Sequence, residues 1–244
     1  ILGGFFVANA IIAEVIGVKI FSLEDSLNIP RADFSMLNAD HLSFSLSVGV
    51  IPWPVIFVTT DIINEYYGVK GVRFLSMLTA ALIAFAFTVF FFAIHTSPDT
   101  SYWLTSYAES GVPNMQSAFS AIFGQGMNII VGSISAFIIG RIVHALIFRK
   151  IKFLTGEKGI WMRATLSTLV SQLIDSFVVT YIAFYLFRGV SFGQCTAWAL
   201  TAYIYKFVIA ILFTPAVYLI HWFAERYLGK ELAAEMKKSA MSGY

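Results

Sequence analysis

Residues 72–95 read VRFLSMLTAALIAFAFTVFFFAIH, and no formal charge interrupts the run after Arg73. A membrane crossing needs roughly 20 predominantly apolar residues, so this stretch is long enough to span a bilayer as one helix. Five more apolar stretches lie near 1–22, 50–69, 127–148, 160–186 and 197–223. The 244 residues are 58% hydrophobic and 12% charged, with a mean hydropathy of +0.78, a balance that excludes an ordinary soluble domain. The expected fold class is an all-α integral membrane protein, a six-transmembrane-helix bundle forming a single domain over 1–244.

Basic residues orient such a bundle. Lys70, Arg73, Arg149, Lys150, Lys152, Lys158, Arg163, Arg226, Lys230, Lys237 and Lys238 fall on one face. Only Lys19, Arg31 and Arg188 fall on the other, and the excess of Lys and Arg on cytoplasmic loops then places both termini inside. Ile1 is not an initiating Met, so residues upstream of it are expected.

Between the first two spans the pattern changes. Leu42, Phe44, Leu46 and Val48 alternate with Ser43, Ser45, Ser47 and Gly49, and Asn38-Ala39-Asp40 separates them from Phe34-Ser35-Met36. Period-two alternation across a turn signal argues for a small outer β-hairpin, against an irregular loop in the headgroups. Pro52 and Pro54 follow, and two prolines so close mark a helix that starts here or one that is broken here. The stretch Ser117–Phe123 suits a short interfacial helix. The mixed Glu and Lys tail from Glu225 suits a solvated helix or a frayed end.

Ionisable groups inside spans are costly in lipid, on the order of 2.5–3.5 kcal/mol each on insertion scales, so they need a partner or a function. In Thr60-Asp61-Ile62-Ile63-Asn64-Glu65, the i+3 and i+4 spacing puts Asp61, Asn64 and Glu65 on one helical face. That face points into the bundle or a wet cavity, unless the segment is merely a cytoplasmic helix end. The fifth span carries Gln172 and Asp175; counted from Arg163, Asp175 lies about 18 Å deep. Lys206 lies about 15 Å past Thr196 on the sixth span, so an Asp175–Lys206 ion pair is expected, either as a functional group or as a link between helices. Arg141 and His144 share the i+3 spacing on the fourth span, and they echo Gln172 and Asp175 at an offset of 31 residues, a hint of inverted repeats. In the first span Asn9 and Glu14 are polar but lie on different faces. Rings near these groups, Phe57, Tyr66, Tyr67, Tyr203 and Tyr205, suit either a flat heterocycle or plain packing.

Pro52, the run from Thr60 to Gly68, Arg163 with Ser167, Ser171-Gln172-Leu173-Ile174-Asp175-Ser176, and Lys206 with Thr214-Pro215-Ala216-Val217-Tyr218 together resemble the queuosine precursor transporter family, also called the vitamin uptake transporter family. Asn9 and Lys19 fit the same pattern. The resemblance covers nearly the whole chain, and it implies an inner-membrane importer of 7-deazaguanines such as 7-cyano- or 7-aminomethyl-7-deazaguanine, destined for queuosine in tRNA. Substrate-binding residues are then expected at Asp61, Asn64, Glu65, Gln172, Asp175, Lys206, Asn9 and Phe57, with Arg141, His144 and Glu14 serving coupling or charge balance. One departure is the fourth span, where similar proteins carry a Gly-Gln-x-x-Asp-like pattern and this chain has Gly140-Arg141-Ile142-Val143-His144.

No cofactor or metal is expected: Cys195 is alone, and the four His residues include no His-x3-His pair. That scarcity also argues against an intramembrane enzyme. The expected partners are a purine-like small molecule and membrane lipid, with no nucleic acid; self-association stays open. A substrate-binding subunit driven by a separate ATPase is the alternative, since the chain lacks Gly-x4-Gly-Lys-Ser/Thr.

Overall fold

The computed structural model describes residues 2–36, 39–124, 127–155 and 160–242, and within them the chain is mostly helical. Helix α1 (Leu2–Ile16) leads into a strap of short elements: β1 (Ile20–Ser22), the single turn α2 (Leu23–Ser26), β2 (Phe34–Met36), β3 (Ala39–Leu42) and β4 (Ser45–Ser47). Then follow α3 (Trp53–His95), α4 (Met115–Gly124), α5 (Met127–Thr155), α6 (Ile160–Thr180), α7 (Phe192–Leu212), α8 (Thr214–Leu228) and α9 (Lys230–Ser242). Val48–His95, Thr165–Leu186 and Phe192–Leu212 are long and apolar enough to cross a membrane, while α1 is apolar but shorter.

Helix α3 contains the second and third expected spans. At about 1.5 Å per residue a straight α3 would far exceed a bilayer. It is broken at Gly68, whose φ of 68° and ψ of −171° only glycine adopts without strain. Trp53 and Phe87, near opposite ends of α3, line the same chamber, so the arms 53–67 and 69–95 fold back on each other. Phe6, Ala10 and Ala13 of α1 pack with Ile56 and Ile63 of the first arm and Val72, Leu75 and Ile83 of the second, joined by Phe137 of α5.

Pro52 caps the N-terminus of α3 and Pro54 sits in its first turn, where a missing N–H leaves no helical bond unmade. The prolines therefore start this helix. The first expected span is cut short at Ile16, because Gly17 and Gly49 bring the chain ends together: a Cβ on Gly49 would lie 2.6 Å from the Ala13 carbonyl oxygen. The last expected span is also divided. It stops at Leu212, and Pro215 begins the new helix α8.

The alternating row 42–48 is split between two sheets. Phe34 pairs with Leu42 and Met36 with Ala39, antiparallel, whereas Ile20, Phe21 and Ser22 pair with Ser47, Leu46 and Ser45. The expected turn residue Asn38 lies outside the described residues. Within the strap the carboxylate of buried Glu24 accepts hydrogen bonds from the Phe44 N–H (2.8 Å), the Ala32 N–H (3.4 Å) and the Ser22 hydroxyl (3.3 Å). Burial pushes this carboxyl upward, but the donated hydrogen bonds outweigh it and hold it below the usual range.

Helix α4 forms where the short interfacial helix is expected, and Gln116 donates to the Ile94 carbonyl at 2.7 Å. The tail is neither frayed nor wholly solvated. Ala233 and Lys237 of α9 are buried, Lys237 pairs with Glu225 at 2.7 Å, and Ala240 backs onto Gly68. Gly68 thus lets the chain reverse and lets α9 dock.

Candidate functional site

The first arm of α3 presents Thr60, Asp61, Asn64 and Glu65 to α5, and each finds a partner there. Arg141 donates to the Thr60 hydroxyl (3.0 Å), His144 Nε2 lies 2.8 Å from Asp61, Asn64 donates to the Ala145 carbonyl (3.2 Å), and Lys152 lies 3.1 Å from Glu65. Partner numbers rise together, so this arm and α5 run parallel, and the contacts form a ladder. All of these polar side chains are buried.

Arg141 is 1% exposed, and its guanidinium carbon lies 4.7 Å from the Phe57 ring centre and 5.4 Å from that of Trp53. Ring faces stabilise a cation where water is absent. His144 also bridges to α6, with Nδ1 3.4 Å from the Ser171 hydroxyl, which itself donates to the Thr168 carbonyl. One imidazole ring thus ties Asp61 of α3 to Ser171 of α6. Helices α5 and α6 can approach this closely because Gly132 and Gly140 face α6: a Cβ at 132 would lie 3.3 Å from Ile182.

Beside the ladder lies a chamber of about 620 Å³, within the usual span of small-molecule sites. It is walled by the C-terminal end of α1, the start of α3, α5, α6 and the start of α7, and covered by β3 and β4. Exposed Asp40 and His41 lie in its wall, so it opens on the strap side. Trp53, Phe87, Phe184 and Trp198 supply its rings. Its polar groups on the helices include Glu14, Ser133, Asp175, Ser176, Thr201 and Lys206. Lys206 donates to Asp175 at 2.7 Å, the ion pair expected from their depths. Ser176 is 3% exposed, yet its hydroxyl has no hydrogen-bond partner among the described residues.

The expected site residues thus divide. Glu14, Asp175 and Lys206 line the chamber, whereas Asp61, Asn64 and Glu65 belong to the ladder. Phe57 and Asp61 border a separate void of about 20 Å³, enough for one water. Gln172 is wholly buried, and neither end of its amide has a partner among the described residues. Asn9 donates to the Phe5 carbonyl of its own helix at 2.9 Å. Tyr66, Tyr67, Tyr203 and Tyr205 do not line the chamber. The tryptophans and Ser133 were not singled out by the sequence; Trp53 stood between two prolines, the one local signal available. Among the described residues, no three acidic, His or Cys side chains converge as a metal site.

Apolar helices that wall a polar chamber and bury paired charges beside it have the makings of a membrane transporter for a small molecule. A family described as "Putative vitamin uptake transporter" matches residues 47–220, and the chain belongs to that family. It is 26% identical over 179 residues to a "Probable queuosine precursor transporter" of Bacillus subtilis (strain 168), covering 70% of each chain. A protein of the same description from Haemophilus influenzae is 24% identical over 185 residues, covering 73% of this chain and 69% of the relative. No solved structure matches the chain.

Proposed function

We propose that this protein carries a queuosine precursor, a 7-deazaguanine, across the cell inner membrane for tRNA modification. The observation that carries the reading is the Asp175–Lys206 pair in the wall of a ring-lined chamber, in a chain whose relatives bear that description. The pair sets a carboxylate acceptor beside an ammonium donor. A guanine-like edge has the complementary order, with N–H donors next to a carbonyl acceptor. Ser176 adds a hydroxyl with unused capacity, and Trp53 and Trp198 offer faces for a flat bicycle.

The chain works in this reading as one domain with six spans: α1, the two arms of α3, α5, α6 with the turn that follows it, and α7. The basic residues keep both termini cytoplasmic. The chamber then faces outward, and the ladder with α9 closes the inner end. Asp175 and Lys206 hold the base edge, while Asp61, Asn64 and Glu65 meet the cargo as it moves inward. Arg141, His144 and Lys152 balance the ladder acids until then.

Complementation tests this reading. A strain that cannot make the precursor, kept on a low external supply, regains queuosine in its tRNA when this chain is expressed. Restoration without the chain, or none with it, overturns the reading.

A further inference from the structure

The ladder and the chamber differ in how their charges balance. Along the ladder Asp61 faces His144 and Glu65 faces Lys152. In the chamber the ionisable groups are Glu14 on α1, Asp175 on α6, Lys206 on α7, and Asp40 and His41 on β3 at the mouth. Lys206 is held by Asp175. Glu14 makes no ion pair among the described residues; the neutral Ser133 hydroxyl on α5 and the Asp175 carboxylate share its chamber wall.

A carboxylate in an apolar wall is costly unless a proton or a cation answers it. Among the described residues that line the chamber, the one lysine, Lys206, is already held by Asp175. Ser176, almost fully buried and unpartnered in the same wall, independently shows that this chamber leaves hydrogen-bonding capacity for a ligand. We infer that Glu14 is the counter-ion of a cationic amine on the cargo, so the carrier favours a deazaguanine bearing an aminomethyl group over one bearing a nitrile. This inference rests on the cargo reading above. With the pyrimidine edge at Asp175 and Lys206, the substituent sits on the five-membered ring, and its ammonium would answer the Glu14 carboxylate. A nitrile is neutral and brings no positive charge, so it leaves Glu14 without a counter-ion.

The test compares uptake of 7-aminomethyl- and 7-cyano-7-deazaguanine by the full-length protein in cells lacking the biosynthetic pathway, for wild type, Glu14→Gln and Glu14→Asp, at matched membrane levels. Expected is a preference of wild type for the amine of about tenfold or more in half-saturating concentration, the size of one charge-assisted contact. Glu14→Gln should abolish that preference by weakening uptake of the amine about tenfold more than uptake of the nitrile, and Glu14→Asp should keep the preference in part. Equal loss of both compounds in Glu14→Gln, or loss of neither, overturns the role of Glu14 alone. Wild type that moves neither compound overturns the cargo reading itself.

Discussion

His144 Nε2 lies 2.8 Å from Asp61 Oδ1 in the interior, and neither side chain is more than 2% exposed. Two residues that the chain separates by 83 positions thus neutralise each other where water cannot. The two basic side chains of Gly140-Arg141-Ile142-Val143-His144 are thus accommodated: His144 meets Asp61, and Arg141 meets the Thr60 hydroxyl and the rings of Phe57 and Trp53.

Removing one partner of such a pair leaves a buried charge uncompensated, which costs about 3–5 kcal/mol. Asp61→Asn or His144→Gln alone should lower the melting temperature in detergent sharply. Asp61→Asn combined with His144→Gln should recover a large part of the loss, and additive losses would show that the pair is not coupled.

The chamber pair should behave differently. Asp175→Asn keeps the shape of the side chain but removes the charge that Lys206 answers. Uptake should fall by about two orders of magnitude, the loss expected from one hydrogen bond to a charged group of about 1.5–3 kcal/mol. Immunoblots of the membrane fraction should show the variant inserted at near wild-type levels; an inserted variant with normal uptake would remove Asp175 from the binding site.

Gly68 joins two constraints at one position. A Cβ there would come 2.8 Å from the Ala240 carbonyl oxygen, on a backbone with φ of 68°. Gly68→Ala should cost about 1–3 kcal/mol for the backbone alone. It should also undock α9, so limited proteolysis should cut the tail after residue 229 faster than in wild type.

Glu24 gives the strap an acid limit. Because its folded value lies below the unfolded one, near 4.3 for a free Glu side chain, it stabilises the strap above that pH and the contribution is lost as pH falls through the folded value. Protection of the Phe44 amide from hydrogen exchange, taken relative to its intrinsic rate at each pH, should therefore stay high at neutral pH and drop only well into the acid range. In Glu24→Gln it should be lower at neutral pH and lose the acid step.

Much of this was legible in the sequence, because lipid enforces a simple rule on long apolar runs and makes buried charge conspicuous. The depth of Asp175 and Lys206 along their helices was enough to pair them. What stayed hidden depended on distant parts of the chain. Glu24 looks like any acid on a short turn until the strap folds over it. The tail's mixed charges read as solvated, yet Ala233 and Ala240 are small enough to lie against α3 where Gly68 clears the way. Periodicity placed Asp61, Asn64 and Glu65 correctly on one face, but not which neighbour that face would meet. The row 42–48 could not reveal that its two halves pair with different strands.

Trp53 has a place on both sides of the protein's interior: one part of its indole borders the chamber, and the guanidinium of Arg141 rests 5.4 Å from its ring. Anything that tilts this ring from the chamber side also disturbs the support of the cation behind it, and Arg141 in turn holds Thr60, next in sequence to Asp61. In the proposed carrier a cargo that leans on Trp53 therefore leans on the same ring that backs Arg141, so one side chain stands between the vestibule and the polar contacts behind it.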